Sequence, residues 1–207
     1  LTRVGRDDRH REPLASALAS EGFDTRVAAA MIAPPDTFGK KAPGGYAEYS
    51  TATPDQVTAL PNHLTFEQGL QYFGNIKTAY LMYYTYRAPL PSDATVLIHA
   101  GAGGVGSSLT MVAKKAGNRV ISLVRQAWKG DFSRAHGADH VVVMDDNWPD
   151  KVLELTGGEG VDASFNTLAG ETVARDIDLL KHRGLLLFVS TMKGWPTSLS
   201  EEVIRKA

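Results

Sequence analysis

The segment from Thr95 to Val124 constrains the fold most, because it places a glycine-rich turn between two apolar runs. The first run, residues 95–100, is short and β-branched, and it predicts a buried strand. Residues 101–106 read G-A-G-G-V-G, and the dozen residues after them have apolar side chains at helical spacing up to a helix end at Gly117. A second apolar run begins at Arg119. This order predicts a strand, a glycine turn, a helix and a strand, which together form a βαβ unit.

The three glycines Gly101, Gly103 and Gly106 match the pattern G-x-G-x-x-G. We interpret Gly101 as allowing a tight bend, Gly103 as letting a pyrophosphate approach the backbone, and Gly106 as clearance between helix and strand. The following helix would offer free N–H groups and the positive end of its dipole to the phosphates. A plain structural turn is the alternative, but the context favours a dinucleotide site. The predicted phosphate-binding residues are Gly101, Ala102, Gly103, Gly104, Val105 and Gly106.

The rest of the chain after Val124 alternates helical segments with apolar runs. Strands are predicted at residues 140–144, 161–165 and 184–189, and helices at 128–136, 148–155 and 171–180. Continuous apolar strands between helices predict an α/β fold, a doubly wound parallel sheet covered on both faces. Ligands bind beyond the carboxyl ends of such strands. We therefore expect functional residues in the stretches 101–106, 124–129, 166–170 and 190–193.

The first 60 residues differ from the rest in the elements that they predict, and they indicate a small, incomplete β-rich unit. Candidate strands are residues 23–32, 46–49 and 56–60. Proline and asparagine at residues 61–62 mark a boundary, and Thr65 with Gln68 forms a predicted capping box that starts a helix reaching residue 86. We predict two domains, residues 1–60 and residues 61–207.

Composition excludes several classes of function. The net charge of −1 argues against a nucleic-acid or anionic-membrane partner, and no apolar stretch is long enough to span a bilayer. The chain has no cysteine, which removes disulfides, thiol catalysis and cysteine-ligated zinc. The histidines lie apart without the spacing of a zinc site, so no metal is predicted. The lack of cysteine fits a reducing compartment, and we expect a cytoplasmic protein.

Two cations indicate which of the two dinucleotides, NADP(H) or NAD(H), the sequence predicts as the cofactor. An unphosphorylated ribose is usually held by an acid at the end of the second strand, but this chain has Arg125 there, Lys129 just after it, and no acid before Asp131. A 2′-phosphate would meet two cations at this point, which favours NADP(H). The alternative is that both cations are ordinary exposed residues at a helix start.

With these residues together, the chain resembles the zinc-free medium-chain dehydrogenase/reductases, in particular the quinone oxidoreductase (zeta-crystallin) group. The likeness covers about residues 43–191. It rests on G-G-Y-A-E-Y at 44–49, T-A-Y at 78–80, V-L-I-H-A-G-A-G-G-V-G at 96–106, G-A-D-H at 137–140 and L-T-G-G-E-G-V-D at 155–162. The resemblance implies a Rossmann domain beside a GroES-like catalytic domain, with NADPH in the cleft. Enoyl reductases share most of these motifs.

The resemblance also implies roles for single residues. Residues 102–106 would hold the pyrophosphate, and Arg125 and Lys129 would lie near the 2′-phosphate. Lys129 stands where the family often has lysine, whereas Arg125 replaces a small residue. The residues expected along the nicotinamide side are Thr78, Asn166, Gly170, Phe188, Val189, Ser190 and Thr191.

The implied activity is NADPH-dependent hydride transfer to a quinone or an α,β-unsaturated carbonyl compound, a small electrophilic substrate, without a metal. Tyr46 is the only acid we name, because its hydroxyl could protonate or hydrogen-bond a developing enolate, although a tyrosine there is more often a packing residue. Two alternatives stay open. One is an enoyl-thioester reductase of fatty-acid or polyketide type, and the other is a nucleotide-binding module without turnover.

The chain departs from the resemblance at both ends. Family members are usually longer by a hundred residues or more, and residues 1–20 match nothing in the family part that supplies an asparagine and often a tyrosine near the substrate. The last Rossmann strand should follow residue 199 and has no counterpart. We therefore expect a chain truncated relative to the family. The family's edge-to-edge sheet pairing suggests a homodimer, but the strand that would form it is in the missing part.

Overall fold

The computed structural model describes residues 2–5, 49–52, 61, 63–85 and 90–188. The chain divides into two compact units, Leu1–Gly74 and Asn75–Ala207. This division falls later in the sequence than the domain boundary predicted after residue 60.

The first unit contains a two-stranded antiparallel sheet. Strand β1, Thr2–Gly5, pairs with β2, Tyr49–Ala52. Of the strand predicted at residues 46–49, Tyr49 begins β2, and residues 46–48 lie outside the described residues. The sequence predicted no strand at Thr2–Gly5. The reason is that β1 and β2 form by mutual pairing and not by a local apolar run. The predicted strands at 23–32 and 56–60 lie outside the described residues.

The predicted capping box is confirmed at the start of helix α1, Phe66–Gln71. The Gln68 backbone N–H donates to Thr65 Oγ1 at 3.2 Å, and the Thr65 backbone N–H donates to Gln68 Oε1 at 2.9 Å. A π-helical segment, Tyr72–Ile76, follows, and then helix α2, Lys77–Tyr84. The helical stretch therefore exists as predicted, although its middle turn is π-helical rather than α-helical.

A five-stranded parallel sheet forms the second unit, which confirms the predicted α/β fold. Its strands are β3 (Thr95–Ile98), β4 (Arg119–Val124), β5 (His140–Val143), β6 (Val161–Asn166) and β7 (Leu180–Phe188). Besides α2, its described helices are α3 (Gly104–Lys115), a 3₁₀ turn (Ala127–Lys129), α4 (Gly130–Ala135), α5 (Trp148–Leu155) and α6 (Thr172–Leu179). The strand order is β5-β4-β3-β6-β7, and each neighbouring pair is parallel.

The sheet buries apolar side chains on both faces, as predicted. Val96 and Ile98 of β3 belong to a cluster that includes residues of α2 and α3. Leu97, between them, belongs to a second cluster that includes Trp148 and Val152 of α5. Successive strand residues point to opposite faces, so a continuous apolar run is what a sheet covered on both sides requires.

Strand β7 begins at Leu180, earlier than the predicted residue 184. Leu180 pairs with Val161, and the register then shifts so that Leu185 pairs with Ala163. The polar residues between them lie in this irregularity, and Arg183 there has a φ of 63°. The sequence predicted no strand at these residues, but the pairing of Leu180 before the bulge includes them in β7.

The chain reverses its direction of winding at the centre of the sheet. It proceeds from β3 outward to β5 and then crosses back to place β6 on the other side of β3. The carboxyl ends of β3 and β6 therefore form a topological switch point, where connecting loops diverge and leave a crevice. None of the helices in the described ranges is long and apolar enough to cross a membrane.

Candidate functional site

The glycine turn after β3 is held by its own backbone. Ala100 adopts the left-handed conformation with a φ of 49°, and the Gly103 N–H donates to the Ala100 carbonyl oxygen at 2.7 Å. Gly103 is the N-cap of α3 and has extended backbone angles. The turn therefore connects the end of the strand directly to the first turn of a twelve-residue helix.

Two of the three motif glycines are required by close contacts. A Cβ on Gly101 would lie 1.7 Å from Ser122 Oγ, and one on Gly106 would lie 2.3 Å from the Ala100 carbonyl oxygen. The interpretation of Gly106 as clearance for close packing agrees with this geometry. The left-handed residue of the bend is Ala100, and the close approach of the Ser122 side chain of β4 is the contact that excludes a Cβ at Gly101. The interpretation of Gly101 as allowing a tight bend stays a prediction.

The N-terminus of α3 is open at its first residues. Gly103 and Gly104 are exposed, and no side chain caps the helix. The N–H groups of a first helical turn have no partner within the helix, so they can donate to a phosphate. The Asn75 amide packs against Gly104, where a Cβ would lie 2.3 Å from Asn75 Nδ2. A side chain at residue 104 would therefore displace this amide.

A cavity of about 690 Å³ lies at the carboxyl edge of the sheet, beside this turn. Four predicted site residues, Ala102, Gly103, Arg125 and Lys129, line it. The other lining residues come from the ends of β3, β4, β5 and β6, from the start of α5 and from α6: Ala100, Leu123, Val124, Met144, Asp145, Asp146, Trp148, Leu168, Glu171, Thr172 and Arg175. The cavity thus occupies the position at which a doubly wound sheet binds ligands.

The cations and acids on the cavity wall differ in their partners. Lys151 donates to Asp145 Oδ2 at 2.5 Å, and this hydrogen bond holds the pKa of Asp145 below its usual value. Arg175 donates to the Asp146 backbone oxygen at 3.3 Å. Within the described part of the chain, the side chains of Arg125 and Lys129 make neither a hydrogen bond nor an ion pair. Both cations are therefore available to an anion in the cavity.

A fully buried polar network lies beneath the cavity. Asp176 Oδ1 is 2.7 Å from His99 Nε2, and Asp176 Oδ2 accepts a hydrogen bond from Asn166 Nδ2 at 2.6 Å. Asn166 Nδ2 also donates to Thr172 Oγ1 at 2.9 Å. The side-chain oxygen Oδ1 of Asn166 accepts from the Leu168 and Ala169 N–H groups at 2.9 and 2.8 Å. Asn166, predicted to lie along the nicotinamide side, thus holds the turn after β6.

Of the remaining nicotinamide-side predictions, Thr78, Gly170 and Phe188 are not among the described residues that line this cavity. Thr78 is half-buried on α2, and Gly170 is buried with a φ of 63°. Phe188 ends β7 and pairs in register with Asn166. Tyr46, Val189, Ser190 and Thr191 lie outside the described residues. Their roles stay predictions.

Sequence reasoning missed the cavity wall that follows β5. Met144, Asp145 and Asp146 come directly after this strand, and Arg175 lies on α6. The available signal was the same rule that selected the other stretches, since the predicted strand at 140–144 also has a carboxyl end. Arg175 had no comparable signal, because it lies inside a helix.

No group of three or more His, Cys, Asp or Glu side chains that could hold a metal ion occurs among the described residues. The absence of a metal site from the protein stays a prediction.

Known proteins show clear similarity to this chain. The family described as zinc-binding dehydrogenase matches residues 104–206. A quinone oxidoreductase of Sus scrofa is 32% identical over 153 residues, covering 72% of this chain and 45% of that protein. A highly reducing polyketide synthase of Emericella nidulans is 35% identical over 167 residues, covering 77% of this chain but 6% of the synthase.

Solved structures agree with the sequence matches. The mycobacterial protein Rv1454c, solved in complex with NADPH, superposes with a TM-score of 0.71 at 34% identity, covering 79% of this chain and 51% of that one. The chain thus spans about half the length of the quinone oxidoreductases that it matches. The glycine turn, the parallel sheet and these matches together show that the chain belongs to the medium-chain dehydrogenase/reductase superfamily and is similar to its quinone oxidoreductases.

Proposed function

We propose that the chain binds NADPH and is part of an oxidoreductase that reduces a quinone or an α,β-unsaturated carbonyl compound. One observation supports this proposal most strongly. The cavity at the switch point combines the glycine turn with Arg125 and Lys129, two cations that form no ion pair within the described residues. The mycobacterial relative in complex with NADPH supports the same cofactor.

The residues present fit this cofactor. Residues 102–106 would hold the pyrophosphate through backbone N–H groups at the α3 N-terminus. Arg125 and Lys129 would bind the 2′-phosphate, and β4 ends without the acid that an unphosphorylated ribose requires. The nearby Asp145 is already engaged by Lys151, so it opposes an incoming phosphate less than a free carboxylate would.

Bound NADPH would supply the hydride, which the side chains of a protein cannot provide. The protein would bind and orient the cofactor and exclude water from the crevice. Trp148 and Leu168 give the cavity apolar wall, and the buried network fixes the turn that bears Leu168. Tyr46 remains the proposed proton donor to a developing enolate, with a packing role as its alternative.

Quinones are the first substrate class to test, because the sequence relatives include quinone oxidoreductases. The 207-residue chain should be mixed with NADPH and 9,10-phenanthrenequinone while absorbance of the reduced nicotinamide is followed. We expect oxidation of NADPH that an Arg125→Ala, Lys129→Ala double variant slows at limiting NADPH. Saturable NADPH binding without any oxidation would instead favour the nucleotide-binding module.

An enoyl-thioester reductase is the second candidate. The polyketide synthase match at 35% identity favours it. The same assay with a short enoyl thioester in place of the quinone separates the two substrate classes. Faster turnover of the thioester would favour the polyketide-type activity, and turnover of the quinone alone would favour the first candidate.

A further inference from the structure

The turn after β4 brings an aromatic ring next to one of the cavity cations. Residues Ala127–Lys129 form one 3₁₀ turn, closed by the Lys129 N–H donating to the Gln126 carbonyl oxygen at 3.0 Å. The Trp128 ring is 73% exposed, and Lys129 Nζ lies 5.2 Å from its centroid. An ammonium at this distance from an indole face is attracted by the ring quadrupole.

This contact requires a particular conformation of the Lys129 side chain. Consecutive helical side chains do not normally face each other, so the lysine must fold back to reach the ring. Two of the nearby acids are engaged elsewhere, since Asp131 accepts from Arg134 at 2.9 Å and Asp145 accepts from Lys151 at 2.5 Å. Asp146, a further acid on the cavity wall, forms no ion pair with Lys129. Among the described residues, the indole is therefore the partner of the Lys129 ammonium.

The two residues differ in their relation to the cavity. Lys129 lines it, whereas Trp128 does not. An effect of Trp128 on a ligand in the cavity must therefore pass through Lys129. A lysine on a flexible four-carbon stem loses much conformational freedom when it binds an anion, and a ring that already restrains the stem reduces this loss.

We infer that Trp128 is a positioning residue that holds Lys129 at the cavity wall and thereby sets the preference for NADPH over NADH. The inference rests on the proposed function, because it assigns the ligand of Lys129 as the 2′-phosphate. The effect is confined to this phosphate, which is the one group that distinguishes the two nucleotides. Trp128 thus contributes to specificity without touching the cofactor.

The test is a set of calorimetric titrations of the full 207-residue chain with NADPH and with NADH. Calorimetry avoids the loss of tryptophan fluorescence that the variants cause. We expect Trp128→Ala to weaken NADPH binding about threefold, in line with an exposed cation–π contact, and to leave NADH binding unchanged. Trp128→Phe should retain most of the preference, because its ring can still face the ammonium.

A double-variant cycle isolates the route of the effect. In a Lys129→Ala background, Trp128→Ala should cause no further loss of NADPH affinity, since the residue that it positions is gone. Because Trp128 is exposed, the variants should unfold at the same urea concentration as the parent chain, which checks that the fold is intact.

Three results would overturn the inference: an unchanged NADPH affinity in Trp128→Ala, an equal loss for both nucleotides, or an additive loss in the double variant. A parent chain that binds NADPH no tighter than NADH would overturn the cofactor proposal as well. Because the parent chain is measured first, the two failures are distinguishable.

Discussion

At the scale of single residues, the glycine turn is defined by what surrounds it. Gly101 faces the Ser122 side chain of β4, and Gly106 faces the backbone of Ala100. The left-handed torsion of the turn belongs to Ala100, which is not a glycine. The two motif glycines are therefore required for steric reasons, and the two obstacles differ in whether they can be removed.

This difference predicts a selective rescue. Gly101→Ala and Gly106→Ala should each lower the free energy of unfolding by about 1–3 kcal/mol through overpacking. In a Ser122→Ala background the cost of Gly101→Ala should shrink, because the nearest obstacle is the Ser122 hydroxyl. The cost of Gly106→Ala should not change, because its obstacle is a carbonyl group.

Urea unfolding of the single and double variants measures these costs, each double variant being compared with Ser122→Ala alone. That reference is needed because Ser122 Oγ lies 2.6 Å from Ser133 Oγ, a contact that the substitution removes. Equal rescue of both glycine variants, or of neither, would contradict the steric account.

The lowered pKa of Asp139 should make the stability of the fold depend on pH. Partial burial raises the pKa of Asp139, but hydrogen bonds from Lys114 at 2.9 Å and from the Val120 N–H at 2.7 Å outweigh this and hold it below 3.8. A lowered pKa stabilises the fold above pH 3.8, and this contribution disappears as the pH falls through the folded-state value.

Asp139→Asn should therefore lower the free energy of unfolding by about 1 kcal/mol at neutral pH, a modest value because the side chain is partly exposed. The deficit should shrink in urea titrations below pH 3.8. Asp93→Asn, at an exposed acid, is the matched control and should change little. A deficit that is constant from pH 7 to pH 3 would contradict the assignment.

At the scale of elements, the buried network joins two strands and a helix at the switch point. His99 follows β3, Asn166 ends β6, and Thr172 and Asp176 belong to α6. All four side chains are buried, and the Asp176 carboxylate lies between His99 and Asn166. The network therefore fixes the two strand ends that border the crevice relative to α6.

Removing one acceptor from this network should destabilise the second unit. In Asp176→Asn, the single amide oxygen cannot accept from both His99 and Asn166, so one buried donor loses its partner. We expect the free energy of unfolding to fall by about 2 kcal/mol. Glu154→Gln, the same charge change at an exposed position of α5, should cost less than about 0.5 kcal/mol. Similar losses in the two variants would show that the network is not a stabilising element.

The elements also show where sequence reasoning succeeds. Apolar runs bounded by glycines predicted the parallel strands, because strands buried on both faces leave a strong signal. The capping box at Thr65 was equally visible, since it depends on two residues three apart. The early start of β7 and the strand Thr2–Gly5 were not visible, because pairing with distant strands decides both.

At the scale of the whole molecule, the strand order explains the cavity. The reversal of winding between β3 and β6 creates the crevice, and the ends of the strands on either side line it. The sequence predicted the turn and the two cations of this cavity from local motifs. It did not predict the wall after β5 or Arg175, because strand order brings these residues to the cavity.

The central claim is that Arg125 and Lys129 select a phosphorylated dinucleotide. The most direct measurement is a titration of the 207-residue chain with NADPH and NADH, following nicotinamide fluorescence, beside the Arg125→Ala, Lys129→Ala double variant. We predict that NADPH binds at least about tenfold tighter, a difference of about 1.4 kcal/mol, and that the double variant loses this preference. Equal binding of both nucleotides by the parent chain, or no binding of either, would contradict it.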